Sequence, residues 1–242
     1  MQLDAPFRWE GDHVRADVDG AHAVFTTRRG GVSSGPFESL NLGRLTADDS
    51  ANVDENRVRV AALTGQPRER FLYGKQVHGA SVRRATEPPG PGRAPAEEDG
   101  QATALAGHPA LVFVADCTPV LLIGDGAVAA LHCGWRGAAA GIVADGLAAL
   151  DELGAGGTVT ALIGPGARAC CYEVGEEVHA AFAGYDAREG RHLDLPKVLR
   201  AQLDGHAVHD TGVCTMCHPE LFFSHRRDGG VTGRQAGVVW RS

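Results

Sequence analysis

Residues 110–137 read ALVFVADCTPVLLIGDGAVAALHCGWRG, and this stretch decides the fold class that the chain can adopt. Leu111–Ala115 is an apolar run with β-branched members, which predicts a buried strand. Two further apolar runs, Pro119–Ile123 and Val128–Leu131, flank the turn residues Gly124-Asp125-Gly126, which predicts a hairpin. The stretch therefore predicts a sheet that contains hairpin-connected strands.

Outside this stretch the periodic segments add both strands and helices. Further strands are predicted at Ala23–Thr27, Thr158–Ile163 and Gly237–Trp240, and helices at Asp49–Leu63, Gly137–Leu153, Glu176–Phe182 and Pro196–Leu203. The Pro- and Gly-rich stretch Pro88–Pro95 is predicted to be a flexible loop. Because helices and strands are mixed along the chain, we expect an α+β fold: a single domain over residues 1–242, with a mixed β-sheet and hairpins flanked by helices.

The composition indicates an ordinary globular protein with a mildly acidic balance. The 242 residues are 43% hydrophobic and 22% charged, and the formal net charge is −7. Without a basic block, the chain is not expected to bind nucleic acid. Met1–Glu10 holds no apolar run and no segment reaches the roughly 20 apolar residues of a membrane span, so we expect a cytoplasmic protein with no signal peptide and no membrane contact. In a reducing compartment, six cysteines favour metal ligands, nucleophiles or packing over disulfides.

Three short segments place a zinc-type ligand beside a tight turn or at a strand end. They read KQVHG at 75–79, ADCTP at 115–119 and LHCGWRG at 131–137. Their candidate ligands are His78, Cys117 and His132. Two imidazoles and one thiolate suit zinc, and three protein ligands leave a fourth position open, as in catalytic zinc sites. The neighbouring glycines would let the backbone approach a ligand without a Cβ in the way.

The residue pattern by itself leaves a second interpretation open. The wide separation of the three ligands matches no compact zinc motif, and His78 and His132 can instead be hydrogen-bonded core histidines with Cys117 a buried thiol. On composition alone this second interpretation is the stronger one. True multicopper oxidation is a poor fit, because it needs a histidine-dense cluster and the sequence holds no His-x-His pair.

The ordered motifs resemble a known family. TRRGGVS at 27–33, SLNLG at 39–43, ENR at 55–57, IGP at 163–165, CYEVG at 171–175 and FFSHRRD at 222–228 accompany the three ligand segments. Together they resemble the laccase-domain family, bacterial proteins once labelled multicopper polyphenol oxidoreductases and also described as purine nucleoside phosphorylases with adenosine deaminase activity, or as peptidoglycan editing factors. The resemblance implies that His78, Cys117 and His132 are the metal ligands.

The resemblance also implies an activity. We expect a zinc-dependent phosphorylase that takes a purine nucleoside (adenosine, inosine, guanosine or methylthioadenosine) and phosphate to the free base and ribose 1-phosphate, with adenosine deaminase as a side activity. Copper is a possible occupant of the same site, because divalent-metal affinities generally favour it over zinc. The protein is expected to be a monomer or a small homo-oligomer. Two departures from the family pattern are Cys133, where a small apolar residue is usual, and Glu98-Asp99-Gly100, which leaves a role for Asp99 open.

Four residues are candidates for holding the substrates. Arg28, Arg136 and Arg227 lie in motif-dense loops, and fixed guanidinium forks suit phosphate, although each can equally be a surface or ion-pair arginine. Asn41 can bind a ribose hydroxyl or a base edge, or can hold a turn.

Two rival functions remain. In the first, the chain is a hydrolase that edits wrongly built peptidoglycan precursors, with Cys117 as a thiolate nucleophile activated by His78 or His132. In the second, it is a non-catalytic module stabilised by zinc.

The segment CTMCH at 214–218 spells a covalent haem motif. Such attachment occurs on exported proteins, so haem is rejected and the segment is assigned a packing or incidental role. Cys170 and Cys171 are expected in the core.

Overall fold

The computed structural model describes residues 1–90 and 95–242, and its strands form two stacked sheets and a short ribbon. The strands are β1 Arg8–Glu10, β2 His13–Val18, β3 Ala21–Phe25, β4 Val82–Ala85, β5 Gly100–Thr103, β6 Ala110–Val114, β7 Thr118–Ile123, β8 Val128–Cys133, β9 Thr160–Ile163, β10 Arg188–Glu189, β11 His192–Leu193, β12 Ala207–Asp210 and β13 Gln235–Arg241. One sheet is antiparallel, with the order β1-β2-β3-β13-β6, and the other has the order β12-β9-β7-β8-β5-β4. The second sheet is mixed, because β12 pairs parallel with β9 and β4 pairs parallel with β5.

The helices lie outside the sheets. They are α1 Ser50–Thr64, α2 Trp135–Ala140, α3 Ile142–Glu152, α4 Glu176–Ala181 and α5 Leu195–Gln202, with 3₁₀ turns at Gly35–Phe37 and Arg68–Arg70. The Asp49 side chain caps α1 by accepting from the N–H of Ala51, and Gly65 ends the helix at a φ of 66°. Within the part of the chain that the structure describes, none of the helices has the length and apolar character needed to cross a bilayer.

Among the described residues, the buried apolar side chains form three clusters, which the two-residue alternation of the strands keeps apart. In β7, Leu121 and Ile123 pack toward the antiparallel sheet, whereas Val120 and Leu122 pack toward α3 and α5. A third cluster covers the outer face of the antiparallel sheet and includes Val60 of α1. Strands β7 and β8 are therefore apolar on both faces, because both faces are covered.

The predicted α+β class with a mixed sheet and flanking helices is confirmed, with differences in detail. The chain forms a second, antiparallel sheet that the prediction of one mixed sheet did not include. The predicted helix Gly137–Leu153 is wrong as a single element, since Gly141 adopts a φ of 95° and divides it into α2 and α3. Residues 91–94 of the predicted loop Pro88–Pro95 lie outside the described residues.

Candidate metal centre

The β7–β8 hairpin brings two of the predicted ligands together. Cys117 immediately precedes β7, and His132 lies near the end of β8, where it is paired with Pro119 across the ladder. His78 reaches the same point from the loop that precedes β4. One ligand atom from each of the three residues lies within 4.8 Å of the other two. The structure therefore brings together all three side chains predicted as ligands.

A buried carboxylate fixes the orientation of both histidines. Asp99 lies directly before β5 and is 1% exposed. Its Oδ1 accepts hydrogen bonds from His132 Nδ1 at 2.7 Å and from the backbone N–H of His78 at 2.9 Å. Its Oδ2 accepts from the N–H groups of Val77 at 3.1 Å and Gly79 at 2.7 Å. Because the ionised carboxylate can only accept, Nδ1 of His132 carries the proton and Nε2 is left to act as the ligand atom, a pattern usual for metal-binding histidines.

The backbone beside two ligands is strained. His78 has a φ of 63°, and Asp116, directly before Cys117, has a φ of 84°. This left-handed region costs non-glycine residues of order 1 kcal/mol or more. Asp116 is held there by hydroxyl groups, since Thr215 Oγ1 donates to its carboxylate at 2.7 Å and Ser224 Oγ at 3.0 Å. The surrounding loops therefore fix the backbone position from which the Cys117 side chain extends.

Glycine provides the space that the ligand group requires. A Cβ added to Gly134 would lie 3.0 Å from Cys117 Sγ and 3.2 Å from His78 Cδ2. A Cβ added to Gly137 would lie 2.7 Å from the carbonyl oxygen of Gly79. The glycines that follow His132 thus let α2 start directly against the site, as the sequence predicts.

The electrostatics of the group favour an ionised sulfur. Burial raises the pKa of the Cys117 thiol, but the charge of His132 and hydrogen bonds from both histidines outweigh burial and lower the pKa to about 6. Burial lowers the pKa of His132, whereas Cys117 and Asp99 raise it to about 9. A thiolate is the form that binds metal ions and acts as a nucleophile.

The donor set fits a zinc ion. Two imidazoles and a thiolate are borderline-soft ligands of the kind zinc prefers, and Gly134 keeps the space beside them clear. Among the described residues, the group contains three metal-binding side chains and no fourth. All three line a cavity, so the remaining coordination position would be accessible to a substrate.

The cavity has a volume of about 800 Å³ and combines aromatic walls with positive charge. Its aromatic side chains are Tyr73, Phe113, Trp135 and Tyr172. Its cationic side chains are Arg44, Arg57, Lys75, Arg136, Arg226 and Arg234. Among the described lining residues, Asp116 is the single carboxylate. In a chain with a net charge of −7, this concentration of cations indicates an anionic ligand.

Arg136 is the one predicted substrate-binding residue that lines this cavity within the described part of the chain. Its guanidinium lies 4.4 Å from the centre of the Trp135 ring. It is exposed, and no hydrogen bond or ion pair joins its side chain to the described residues. Arg226 and Arg234, which the sequence analysis does not predict, also line the cavity. Arg226 belongs to the FFSHRRD motif and directly precedes the predicted Arg227.

The other three candidates lie elsewhere and are used in internal bonds. Arg28 donates to the carbonyl oxygens of Glu38 and Pro219. Arg227 pairs with Asp228 and donates to the carbonyl oxygens of Thr215 and Phe222.

Asn41 is fully buried. Its amide donates to Thr46 and Asp48 and accepts from the N–H groups of Gly43 and Arg234, so all four hydrogen-bonding positions are taken. In the described structure Arg28 therefore holds backbone carbonyl groups, Arg227 forms an internal ion pair, and Asn41 holds a turn. The expectation of a core position for Cys170 and Cys171 is wrong: Cys170 is exposed and Cys171 is half-buried.

Fold and site together define an α+β protein with an open His₂Cys group at the wall of a substrate-sized, cationic cavity. A family model described as multi-copper polyphenol oxidoreductase laccase matches residues 22–242. The chain belongs to this family, and the family predicted from the motifs is confirmed.

Similar proteins of known name and structure cover almost the whole chain. A purine nucleoside phosphorylase of Streptomyces coelicolor is 40% identical over 93% of this chain and 98% of its own length. One from Deinococcus radiodurans is 41% identical over 89% of this chain and 87% of its own length. The crystal structure of YlmD from Geobacillus stearothermophilus superposes with a TM-score of 0.90 at 33% identity, covering 97% of this chain and 98% of that one.

Proposed function

We propose that the chain is a zinc-dependent purine nucleoside phosphorylase. It would transfer ribose from a purine nucleoside to phosphate and release the free base and ribose 1-phosphate. The observation that carries the proposal is the His78–Cys117–His132 group, which opens onto the cavity of about 800 Å³. Relatives about 40% identical that bear this name support it. Adenosine, inosine and guanosine belong to the proposed substrate class, and so does methylthioadenosine, whose sugar product would be 5-methylthioribose 1-phosphate.

The aromatic walls are suited to a purine. Tyr73 and Phe113 lie edge to face, with their ring centres 5.8 Å apart, and Trp135 and Tyr172 line the same cavity. Flat apolar faces with few polar groups hold an aromatic base by burial and stacking. These residues would orient the nucleoside so that its anomeric carbon faces the ligand group.

The guanidinium groups are suited to phosphate. Arg136 has its hydrogen-bond donors free of partners among the described residues, so they can point to a ligand. Arg226 is held by a bond to the Glu173 carbonyl oxygen and lies over the Tyr172 ring. Arg234 donates to two backbone carbonyl oxygens and retains donor capacity. Fixed cations would hold phosphate in position for attack on the anomeric carbon and offset the negative charge of the phosphate itself.

The three ligand residues would hold the metal ion, and Asp99 would orient one of them. When bound, zinc would supply a Lewis acid at the open face of the group. Asp99 would hold His132 in the tautomer that binds through Nε2. The proposed adenosine deaminase side activity would use the same centre, and copper is the competing occupant to be tested.

The proposal is tested by identifying products. The protein is purified with its native metal, then incubated with adenosine with and without phosphate. Adenine plus ribose 1-phosphate, formed only with phosphate, is the expected result, and loss of this activity with a chelator followed by its return with zinc would assign the metal. Inosine alone would reduce the activity to deamination. If neither adenine nor inosine is formed, the proposal is overturned.

A second candidate is favoured by one specific observation. The Asp99 carboxylate, the His132 imidazole and the Cys117 sulfur form a chain like that of a thiol hydrolase, in which an oriented base activates a nucleophile. Such an enzyme would edit peptidoglycan precursors without a metal. A chelator distinguishes the two, because it would abolish zinc-dependent phosphorolysis and leave a thiol nucleophile active.

The remaining expectations complete the proposal. We place the protein in the cytoplasm, where its six thiols stay reduced, and treat residues 1–242 as one domain. Its partners would be the nucleoside and phosphate, with neither nucleic acid nor membrane involved. Light scattering would decide between a monomer and a small homo-oligomer.

A further inference from the structure

Four of the six cysteines meet at a second place in the fold. Cys170 and Cys171 lie on the loop after β9, and Cys214 and Cys217 lie on the loop after β12. Because β9 and β12 pair in parallel, both loops leave the sheet at the same end. All four sulfur atoms lie within 4.8 Å of one another, and Cys217 Sγ is 3.2 Å from Cys171 Sγ and 3.6 Å from Cys170 Sγ.

The two loops are joined through their backbones at this point. Gly166 forms a parallel bridge with Cys214, with the Gly166 N–H donating to the Val213 carbonyl oxygen at 3.2 Å. The N–H of Thr215 donates back to the Gly166 carbonyl oxygen at 3.1 Å. The Arg168 side chain donates to the same Val213 oxygen at 3.0 Å. The sulfur atoms are thus brought together by fixed backbone rather than by chance side-chain rotation.

Backbone N–H groups reach the Cys214 sulfur. The N–H groups of Cys217 and Arg168 both donate to it. Donors of this kind are usual beside metal-bound thiolates, because they stabilise the charged sulfur.

The spacing of the sulfur atoms fits a tetrahedral cation site. Four ligands at a zinc–sulfur distance of about 2.3 Å lie roughly 3.8 Å from one another. The two sulfur–sulfur distances given above, 3.2 and 3.6 Å, and the upper limit of 4.8 Å bracket that value. A disulfide requires about 2.05 Å between two sulfurs, and the Cys217 sulfur lies well beyond that distance from the sulfurs of both Cys171 and Cys170.

We propose that Cys170, Cys171, Cys214 and Cys217 form a second metal site, a closed zinc tetrathiolate that clamps the two loops together. Binding one Zn²⁺ would displace the thiol protons, and the four sulfurs would complete the coordination sphere. With no position left for a substrate, the site is structural.

The clamp would act on one wall of the cavity. Tyr172, which lines the cavity, follows Cys171 directly. Thr215, inside the second cysteine segment, donates its hydroxyl to Asp116 beside the first metal centre at 2.7 Å. Its carbonyl oxygen accepts from Arg227, the neighbour of the cavity residue Arg226. The second zinc would therefore hold the wall formed by Tyr172 and Arg226 in place.

The test is the zinc content of the full-length chain and three variants, purified with reductant and measured by elemental analysis. We expect about two zinc ions per chain in the wild-type protein and about one in Cys217→Ser, because its three remaining sulfurs no longer close the site. Cys117→Ala should also retain about one, held by the four-cysteine site. The matched control His218→Gln, which alters the half-buried neighbour of Cys217, should retain the wild-type content.

A second readout does not depend on a variant of the cluster. After replacement of zinc by cobalt, Cys117→Ala should show the strong sulfur-to-cobalt absorption of four thiolates. Equal zinc content in Cys217→Ser and the wild type, iron in place of zinc, or a disulfide among these cysteines would each overturn the assignment. If the His₂Cys group binds no zinc but the four-cysteine site does, the wild type and Cys117→Ala would each hold one zinc ion and Cys217→Ser would hold none. Failure of the proposed function is therefore distinguishable from failure of the four-cysteine assignment.

Discussion

At the residue scale, Asp99 connects two ligands that come from different elements. Its carboxylate accepts from the His132 ring and from three consecutive backbone N–H groups around His78. Burial raises the pKa of this carboxyl, but the His132 ring and the N–H groups of Gly79 and Val77 lower it overall. Asp99 is therefore an ionised anchor for both histidines and has no free lone pair directed at the metal position.

Replacing Asp99 with Asn should weaken metal binding. An amide keeps the shape but places N–H donors against N–H donors, so His132 and the loop at His78 lose their fixed orientation. Loss of such an orienting group lowers metal affinity by roughly 10–100-fold. Competition with a coloured chelator measures the affinity, and Asp125→Asn in the exposed β7–β8 turn is the matched control. Equal affinity in Asp99→Asn and the control would contradict the assigned role.

Replacing Arg136 with Gln should raise the KM for phosphate more than the KM for the nucleoside. A charge-assisted hydrogen bond contributes about 1.5–3 kcal/mol, so the KM for phosphate should rise roughly tenfold or more. The KM for nucleoside should change little, because the aromatic walls remain. Steady-state kinetics with each substrate varied in turn gives both values, and Arg59→Gln, an exposed helix arginine that pairs with Glu55, is the control. An unchanged KM for phosphate would show that Arg136 does not bind phosphate.

At the element scale, the end of β12 is tied to the loop that carries Cys170. Asp210, the last residue of β12, pairs with Arg168 and Arg200, and its side chain is 6% exposed. Burial raises the pKa of Asp210, but the hydrogen bond and charge of Arg168 outweigh burial and lower it. The folded chain therefore binds this proton less readily than the unfolded chain does.

The Asp210→Asn variant should lose stability in a pH-dependent way. At pH 7 the loss should be about 2 kcal/mol, the usual contribution of hydrogen bonds to a charged group. Since the folded pKa is below the unfolded value of about 3.9, this contribution is fully present above that pH and disappears as the pH falls through the folded pKa. Urea unfolding at a series of pH values measures it. A difference between wild type and variant that stays constant down to pH 2 would contradict the ion pair.

The sequence predicts some elements far better than others. The apolar runs at β6, β7 and β8 predict those strands to within two residues at each end, because strands covered on both faces are continuously apolar. β5 is missed although all four of its residues are buried, since Gly100–Thr103 contains no apolar run. The break at Gly141 is missed because an alanine-rich stretch satisfies helix propensity on both sides of it.

The residues of the site also differ in how well the sequence predicts them. The three ligands follow from family motifs, whereas Asp99 and Arg234 depend on which loops meet in three dimensions. The four-cysteine cluster depends on the parallel pairing of β9 with β12, a strand whose residues are exposed or half-buried and give no periodic signal. The sequence therefore predicts local chemistry but not the convergence of distant loops.

At the scale of the whole molecule, we expect the fold not to depend on the His₂Cys group. Among the described residues, three apolar clusters cover the inner and outer faces of the sheets. The ligand group lies outside these clusters, at the end of the β7–β8 hairpin opposite its turn. Cys117→Ala should therefore abolish phosphorolysis and leave the circular dichroism spectrum unchanged. The melting temperature should fall no further than in Cys133→Ala, which removes a buried thiol next to a ligand. A sharp additional fall would favour the non-catalytic, zinc-stabilised module.

Anomalous diffraction at the zinc absorption edge, from crystals of the zinc-loaded protein, would locate the metal ion directly. We expect an ion about 2.0–2.3 Å from one ring nitrogen each of His78 and His132 and from Cys117 Sγ, with its fourth position open to the cavity. The absence of an anomalous peak among these side chains would show that the group does not bind zinc. An ion whose fourth ligand is another side chain of the protein would contradict the open fourth position.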